Sequence, residues 1–439
     1  MMELTVETVL AQAPDNASVK AARGLVAPAK WQSLAGNELT LWGECKGSGS
    51  RPYQVRVDLN DMACKCSCPS RKFPCKHALA LLLLRVQNGD TFTSGEPPEW
   101  VTEWLASRQQ RAERKEEKAQ KAKTVDPQAA ARRDAARWER MAAGVDELER
   151  WLSDRTRYGI AQLSGKSNPC RDIAARMVDA QLPGIAARLK QMDELIDAGS
   201  DWPARLLGQM GEIQLLLDAF RQRGSLTPEE QADLRTALGI TTDKNDVADQ
   251  TAMDDSWLIL GQHIEEEGKL WRRRVWLYGQ DSQRTALLLE YSHGAKRFEH
   301  LYVTGQAVRM TLAFYPGAAP VRALPLTTPV PAPVFAPPVT SLAQALDAMT
   351  DMLASHPWQW PILMMLSGIS LTLIDAQWQC QTAQGHLLPT RLSAQERWEL
   401  LAISGGTEIA LIGEWDGEWL QPLSAWDGST MIWQAGDAL

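Results

Sequence analysis

"CKCSCPSRKFPCKHALALLLL", residues 64–84, sets four cysteines and a histidine within fourteen positions, directly ahead of an apolar run. Thiolates and imidazole nitrogens are ligands that zinc prefers, and a structural zinc takes four of them tetrahedrally. Five candidates stand where four are needed. Cys66 and Cys68 are two apart, so on a strand both sulfurs leave the same face. Pro69 then turns the chain. Cys75 and His77 lie across the start of a helix expected over 78–86, where the helix dipole favours a thiolate. A hairpin edge thus offers two ligands and a helix start offers two more. Cys64 precedes Cys66 by two on the same strand face, so a Cys64/Cys66 register competes with Cys66/Cys68.

Around this cluster, strands are expected at 39–42 and 53–59. In the second, Tyr53, Val55, Val57 and Leu59 alternate with other residues. Gly47 to Ser50 reads as the turn between them, and Asn88-Gly89 stops the helix. The segments "CSCPSRKFPCKHALAL" and "LWGECKGSGSRPYQVRVDL" resemble the SWIM zinc finger, and in particular a bacterial family of SWIM proteins. Its members are typically encoded beside a MoxR-type AAA+ ATPase and a von Willebrand factor A-domain protein. The motif-level likeness covers roughly residues 30–90. The stretches "MVDAQLPGIAARL" (177–189), "FYPGAAPVRAL" (314–324) and "GEWDGEWLQPLSAW" (413–426) are also similar to that family. The resemblance implies zinc ligands at Cys66, Cys68, Cys75 and His77, macromolecular interaction, and no catalytic residues to carry over. Together with Pro69, which ends the strand at the second ligand, it favours Cys66/Cys68 over the shifted register, leaving Cys64 as a strand residue packed near the site.

Four protein ligands leave no open position on the metal, so one structural zinc per chain is expected rather than Lewis-acid chemistry. Lys65, Arg71, Lys72 and Lys76 surround the ligands, either as partners of the sulfurs or as a patch facing phosphate or an acidic protein. From Lys46 to Arg85 there are eight Lys or Arg against Asp58 and Asp61, an excess of six within a chain of net charge −8. The rest of the chain is therefore strongly acidic. A chain dominated by nucleic-acid binding is not expected, only weak contact through this face.

The whole chain, 439 residues and 44% hydrophobic, can bury more than one core. Its seven cysteines, an odd number with four crowded together, do not form a disulfide framework. The start, Met-Met-Glu-Leu-Thr, lacks the basic and apolar regions of a signal peptide. The apolar stretch 361–374 is interrupted by Ser367, Gly368, Ser370 and Thr372 and is too short and polar to span a bilayer. These features predict a soluble, cytoplasmic protein without membrane contact.

The expected fold is α+β and multidomain. A SWIM zinc-finger domain occupies 1–92, and a charged helical linker, 93–130, contains "RQQRAERKEEKAQKAK". A helical domain spans 131–240, where Trp138, Met141, Val145, Leu148 and Leu152, then Leu206, Met210, Ile213, Leu217 and Phe220, recur at helical spacing. Thr227-Pro228-Glu229-Glu230 reads as a capping box, with Gly239 as the stop. A β-rich domain follows at 256–325, then a proline-rich connector, 326–340, as an extended tether or a wrap around a domain, and an α+β C-terminal domain at 341–439.

Other motifs carry less. "GIAQLSGKS" (159–167) has five residues between its glycines where a phosphate loop needs four, and it follows a helix. His263, His293 and His300 read as surface residues, Cys45, Cys170 and Cys380 as core, and Asp179 and Gln181 as ordering a helix break at Pro183-Gly184. The tryptophans at 415, 419, 426 and 433 read as core rather than a stacking surface. The function expected is a non-enzymatic zinc-binding adaptor or substrate-recognition protein, working with the AAA+ ATPase and A-domain partners that the resemblance implies. A nucleic-acid binder is the alternative, and a hydrolase with its site in the C-terminal half is a weaker one.

Overall fold

The computed structural model describes residues 6–436 except 11, 14–15, 48–50, 61, 71, 73, 123–126, 251, 268–269, 295, 297, 299 and 375–376. The turn expected at 47–50 therefore lies largely outside the described residues, as does Arg71.

The first unit carries two short helices, α1 (Val6–Leu10) and α2 (Asn16–Arg23), and a sheet of β1 (Trp31–Gly36), β2 (Thr40–Cys45), β3 (Tyr53–Asp58) and β4 (Cys64–Cys66). Helix α3 (Lys76–Gln87) and strand β5 (Thr93–Ser94) complete it, in sheet order β4-β3-β2-β1-β5. Every residue of α3 from His77 to Leu84 is buried. Such a helix, apolar on all sides, must be enclosed. Leu41, Val55 and Val57 of the sheet and Val9 and Ala22 of α1 and α2 share its core. Helix α4 (Glu99–Ala122) follows, with Val101 and Trp104 buried.

The second unit is helical: α5 (Pro127–Tyr158), α6 (Arg171–Asp179), α7 (Pro183–Leu195), α8 (Trp202–Arg221) and α9 (Pro228–Ala237), then the single turn α10 (Lys244–Ala248). Met141, Val145, Leu148 and Leu152 of α5 meet Leu206, Met210, Ile213, Leu217 and Phe220 of α8 in one core. The capping box forms as its residues dictate: Glu230 N–H donates to Thr227 Oγ1, and Thr227 N–H donates to the Glu230 carboxylate. The break between α6 and α7 falls at Gln181, in the left-handed region at φ 63°. Gly184 then lets α7 press on the end of α9, where its N–H donates to Leu238 O at 3.0 Å and any Cβ would collide with Ala237 O.

The third unit begins with β6 (Ala252–Glu267), β7 (Leu270–Gly279), β8 (Thr285–His293), β9 (Ala307–Phe314), β10 (Arg322–Pro325) and β11 (Val330–Ala332). Strand β10 pairs parallel with β8 and antiparallel with β9, so β6–β10 close into a ring. Trp257, Ile259, Val275, Leu277 and Leu288 fill its interior, while Leu258, Leu260, Trp276 and Leu287 face outward. The proline-rich segment is a wrap: β11 pairs with β9 along its edge. The chain ends with α11 (Leu342–Ser355), β12 (Ile362–Ile374), β13 (Gln377–Thr382), β14 (Leu387–Pro389), α12 (Ala394–Ser404), β15 (Ile409–Trp415), β16 (Leu420–Asp427) and β17 (Thr430–Gln434). One face of this sheet packs Leu342 of α11 and Leu400 of α12; the other packs Ile412, Leu423 and Trp426 onto the outward residues of the ring.

The fold is thus mixed α and β, with a helical middle and a β-rich C-terminal half. Among the described residues no helix is long and apolar enough to cross a membrane.

Candidate metal centre

Strand β3 is the foundation of the site. Val55 lies opposite Cys66 and Val57 opposite Cys64, so those two sulfur-bearing residues point toward α3 with the core valines. Strand β4 ends at Cys66, two residues earlier than the sequence reading expects, and Cys68 lies beyond it. Cys66 and Cys68 therefore do not share a strand face. The chain turns after Cys66, and two hydrogen bonds hold the turn to β3: Ser67 N–H to Gln54 O at 3.0 Å, and Gln54 N–H to Ser67 Oγ at 2.9 Å. That turn brings Cys68 round to the ligand side.

The other two ligands come from α3, which starts two residues earlier than expected. Cys75 is its N-cap residue, in extended conformation, and His77 sits in the first turn. The four ligand atoms of Cys66, Cys68, Cys75 and His77 lie within 4.8 Å of one another, with Cys66 Sγ 3.8 Å from His77 Nδ1. Zinc–sulfur bonds in a tetrahedron separate ligands by about 3.7 Å, so small side-chain movements close the set on one ion. The donor chemistry agrees: three soft sulfurs and an imidazole suit zinc, and Cys75 and His77 are buried while Cys66 and Cys68 are half-buried. Cys64, half-buried opposite Val57 on the same face of β4 as Cys66, is not among these four.

The thiols are already differentiated. Cys75 is pushed down to about 4, first by its hydrogen bond with Cys66 and also by His77 and the Ala78 N–H at the head of α3. Cys66 is raised, chiefly as the donor in that same hydrogen bond, and Cys68 is raised by burial. A bound zinc would hold all three sulfurs as thiolates.

Two contributors were not singled out from the sequence. The Tyr53 ring packs on the His77 imidazole with centroids 4.8 Å apart, holding its Nδ1 toward Cys66. The visible signal was Tyr53's place in the alternation with Val55 and Val57. Arg56, on the opposite face, is buried against α4. Of the surrounding lysines, Lys65, Lys72 and Lys76 are exposed. Lys65 lies opposite Arg56 in the register and so faces away from the sulfurs.

Residues 53–85 match the SWIM zinc finger, and residues 136–238 match the SWIM-associated four-helix bundle domain. The two matches support a SWIM-family protein. The first match contains all four ligands, and the second spans the bundle from within α5 to just past α9. Comparison with curated proteins and with solved structures returned no match. The SWIM finger and the Cys66/Cys68/Cys75/His77 cluster fit one zinc ion.

Elsewhere, the loop at 159–167 is closed by its own acid. Asp197 accepts from Ser164 Oγ at 2.7 Å and from Gly165 N–H at 2.8 Å, which places a carboxylate where a phosphate loop needs its anion. Cys45, Cys170 and Cys380 are buried in cores, and burial pushes the last two up to about 12. Trp426 and Trp433 are core residues, and Trp415 and Trp419 are half-buried. His293 is exposed, as expected. His263 is not a surface residue: it is half-buried in a cleft of about 440 Å³ between β6 and the start of α12. His300 is also half-buried, 3.7 Å from Glu290.

Proposed function

We propose that this protein is a non-enzymatic, zinc-stapled adaptor or substrate-recognition subunit. The observation that carries the reading is the closed ligand set. Three sulfurs and one imidazole satisfy a tetrahedral zinc, so the metal's role is to hold a hairpin to a helix rather than to activate water. What the module presents is then a surface built on its own apolar core. The sequence likeness described above makes a AAA+ ATPase and a von Willebrand A-domain protein the expected partners, in the cytoplasm.

Nucleic acid is the second reading, favoured by the exposed Lys65, Lys72 and Lys76. Contacts to a few phosphates give a steep salt dependence, each phosphate adding about 0.9 to the slope of log affinity against log salt on duplex DNA. The acidic remainder of the chain opposes them. A titration of the full chain at about 0.15 M salt separates the readings. Binding to the purified ATPase is expected to persist there while binding to DNA and RNA is lost. Submicromolar nucleic-acid affinity at that salt, abolished by Lys72→Ala with Lys76→Ala, would replace the adaptor reading.

A further inference from the structure

The zinc module has a second face, and it is occupied by α4. Arg56 lies opposite Trp42 on one side and Lys65 on the other, whereas its neighbours Val55 and Val57 point to α3. Arg56 is therefore one residue pair away from the ligand Cys66, but on the reverse of the sheet. Its guanidinium rests 5.1 Å from the Trp100 ring centroid and 5.9 Å from that of Trp104. Those tryptophans are four apart and share one face of α4. Arg108 stacks on Trp104 at 5.4 Å and approaches Asp58 of β3 at 3.8 Å, giving the helix a second anchor.

Arg56 is only 8% exposed, yet among the described residues it makes no hydrogen bond and no ion pair, and its Nε is buried without an acceptor. A buried cation without a carboxylate is costly unless other groups compensate it. Two indole faces provide part of that compensation. The rest acts at longer range: burial lowers the Arg56 pKa, against the attraction of Cys66 and Glu103. Three thiolates around Zn²⁺ carry a net charge of minus one, which the loaded centre would set on the far side of the same strand pair.

We propose that the first turns of α4 are a metal-responsive arm, clamped by Arg56 to the back of the zinc-bearing hairpin and released when the metal leaves. Strand β4 is three residues long and pairs only with β3 among the described residues. The metal cluster is what ties this edge to α3. Loss of zinc removes that tie together with the anionic centre that offsets Arg56, which leaves the arm only its weaker Arg108–Asp58 anchor. The arm precedes the helical bundle in the chain, so its release changes how the finger is tethered to everything downstream.

Hydrogen–deuterium exchange on the full chain tests this, with zinc content measured on the same samples. In the zinc-loaded chain, amides 102–108 are expected to exchange slowly. Chelation should speed them about tenfold or more while 210–217 in α8 stay unchanged. Zinc-loaded Arg56→Leu should retain its metal and still show the fast exchange at 102–108. Should the leucine variant not fold, Arg56→Lys keeps the charge without the planar stack and should show a smaller rise. Slow exchange at 102–108 in the chelated chain, or in either loaded variant, overturns the arm while leaving the adaptor reading intact. A chain that binds no zinc overturns the metal centre and the arm with it.

Discussion

The sheet β1–β5 buries one face against α3, with α1 and α2 beside it, and sets Arg56 of its other face against α4, whereas the ring β6–β10 and the sheet β12–β17 bury apolar residues on both faces and against each other. In the first region the edge strand β4 is three residues long, and the metal site sits on that edge. Small domains that cannot bury enough surface are commonly stapled by a metal or a disulfide. In the second region the seam carries its own bolt. Glu414, almost fully buried on β15, accepts from Arg274 Nε at 2.7 Å and from Trp276 Nε1 at 2.6 Å, both across the seam on β7. Arg274 is paired again with Glu265. The difference teaches that one chain uses two means of joining elements: coordination at a short edge strand, and a satisfied ion pair inside a broad apolar seam.

The sharpest way to break this comparison is to remove one ligand. Structural zinc contributes on the order of 10 kcal/mol to the folding of isolated fingers. Cys68→Ser or His77→Ala should therefore empty the site and unfold residues 55–90, with the C-terminal half still folded. Cys64→Ser should keep its zinc. Elemental analysis with residue-resolved exchange checks both, and a site emptied by Cys64→Ser but not by Cys68→Ser would mean that the register is shifted by two.

Next in size is the bolt. Glu414→Ala leaves Arg274 and Trp276 Nε1 without their buried partner, and breaking such a pair costs about 3–5 kcal/mol. Thermal unfolding should show the C-terminal transition moving down while zinc content is unchanged. If the zinc module is destabilised equally, the two regions are not independent in the way this comparison requires.

The smallest effect concerns the joint between the helical bundle and the C-terminal half. Asp233 of α9 accepts from Ala318 N–H at 2.9 Å and lies 3.3 Å from His356 Nδ1, with both side chains buried. Burial raises Asp233 to about 6, opposed by the Ala318 bond, and lowers His356 to about 4. The Asp233 contribution to stability is full below its unfolded value near 3.8 and is lost as pH rises through 6. That of His356 is full above 6.5 and is lost as pH falls toward 4. The two offset, so stability should be nearly flat between pH 4 and 6.5. Asp233→Asn leaves only the histidine, and its stability should fall by on the order of 2 kcal/mol as pH drops from 6.5 to 4. Denaturation midpoints across the range decide this: a variant as flat as the parent would show that His356 does not titrate in the joint.

Much of the bundle and the centre was legible in the residues because those features are local. The 3–4 spacing of Met141, Val145, Leu148 and Leu152 specifies a buried helical face wherever the helix lies, and Thr227 with Glu230 forms its capping box within one turn. The Cys-x-Cys and Cys-x-His pairs restrict the chemistry to a soft tetrahedral metal. Tertiary structure alone decided that Cys68 reaches the site past the end of a strand, that Arg56 turns its back on the sulfurs to meet Trp100 and Trp104, and that 252–332 and 342–434 share one seam. Alternating apolar residues say that a strand is buried on a face, but not against which partner. Those partners lie far apart in sequence, as Glu414 and Arg274 do, 140 residues from one another, and only folding brings them within reach.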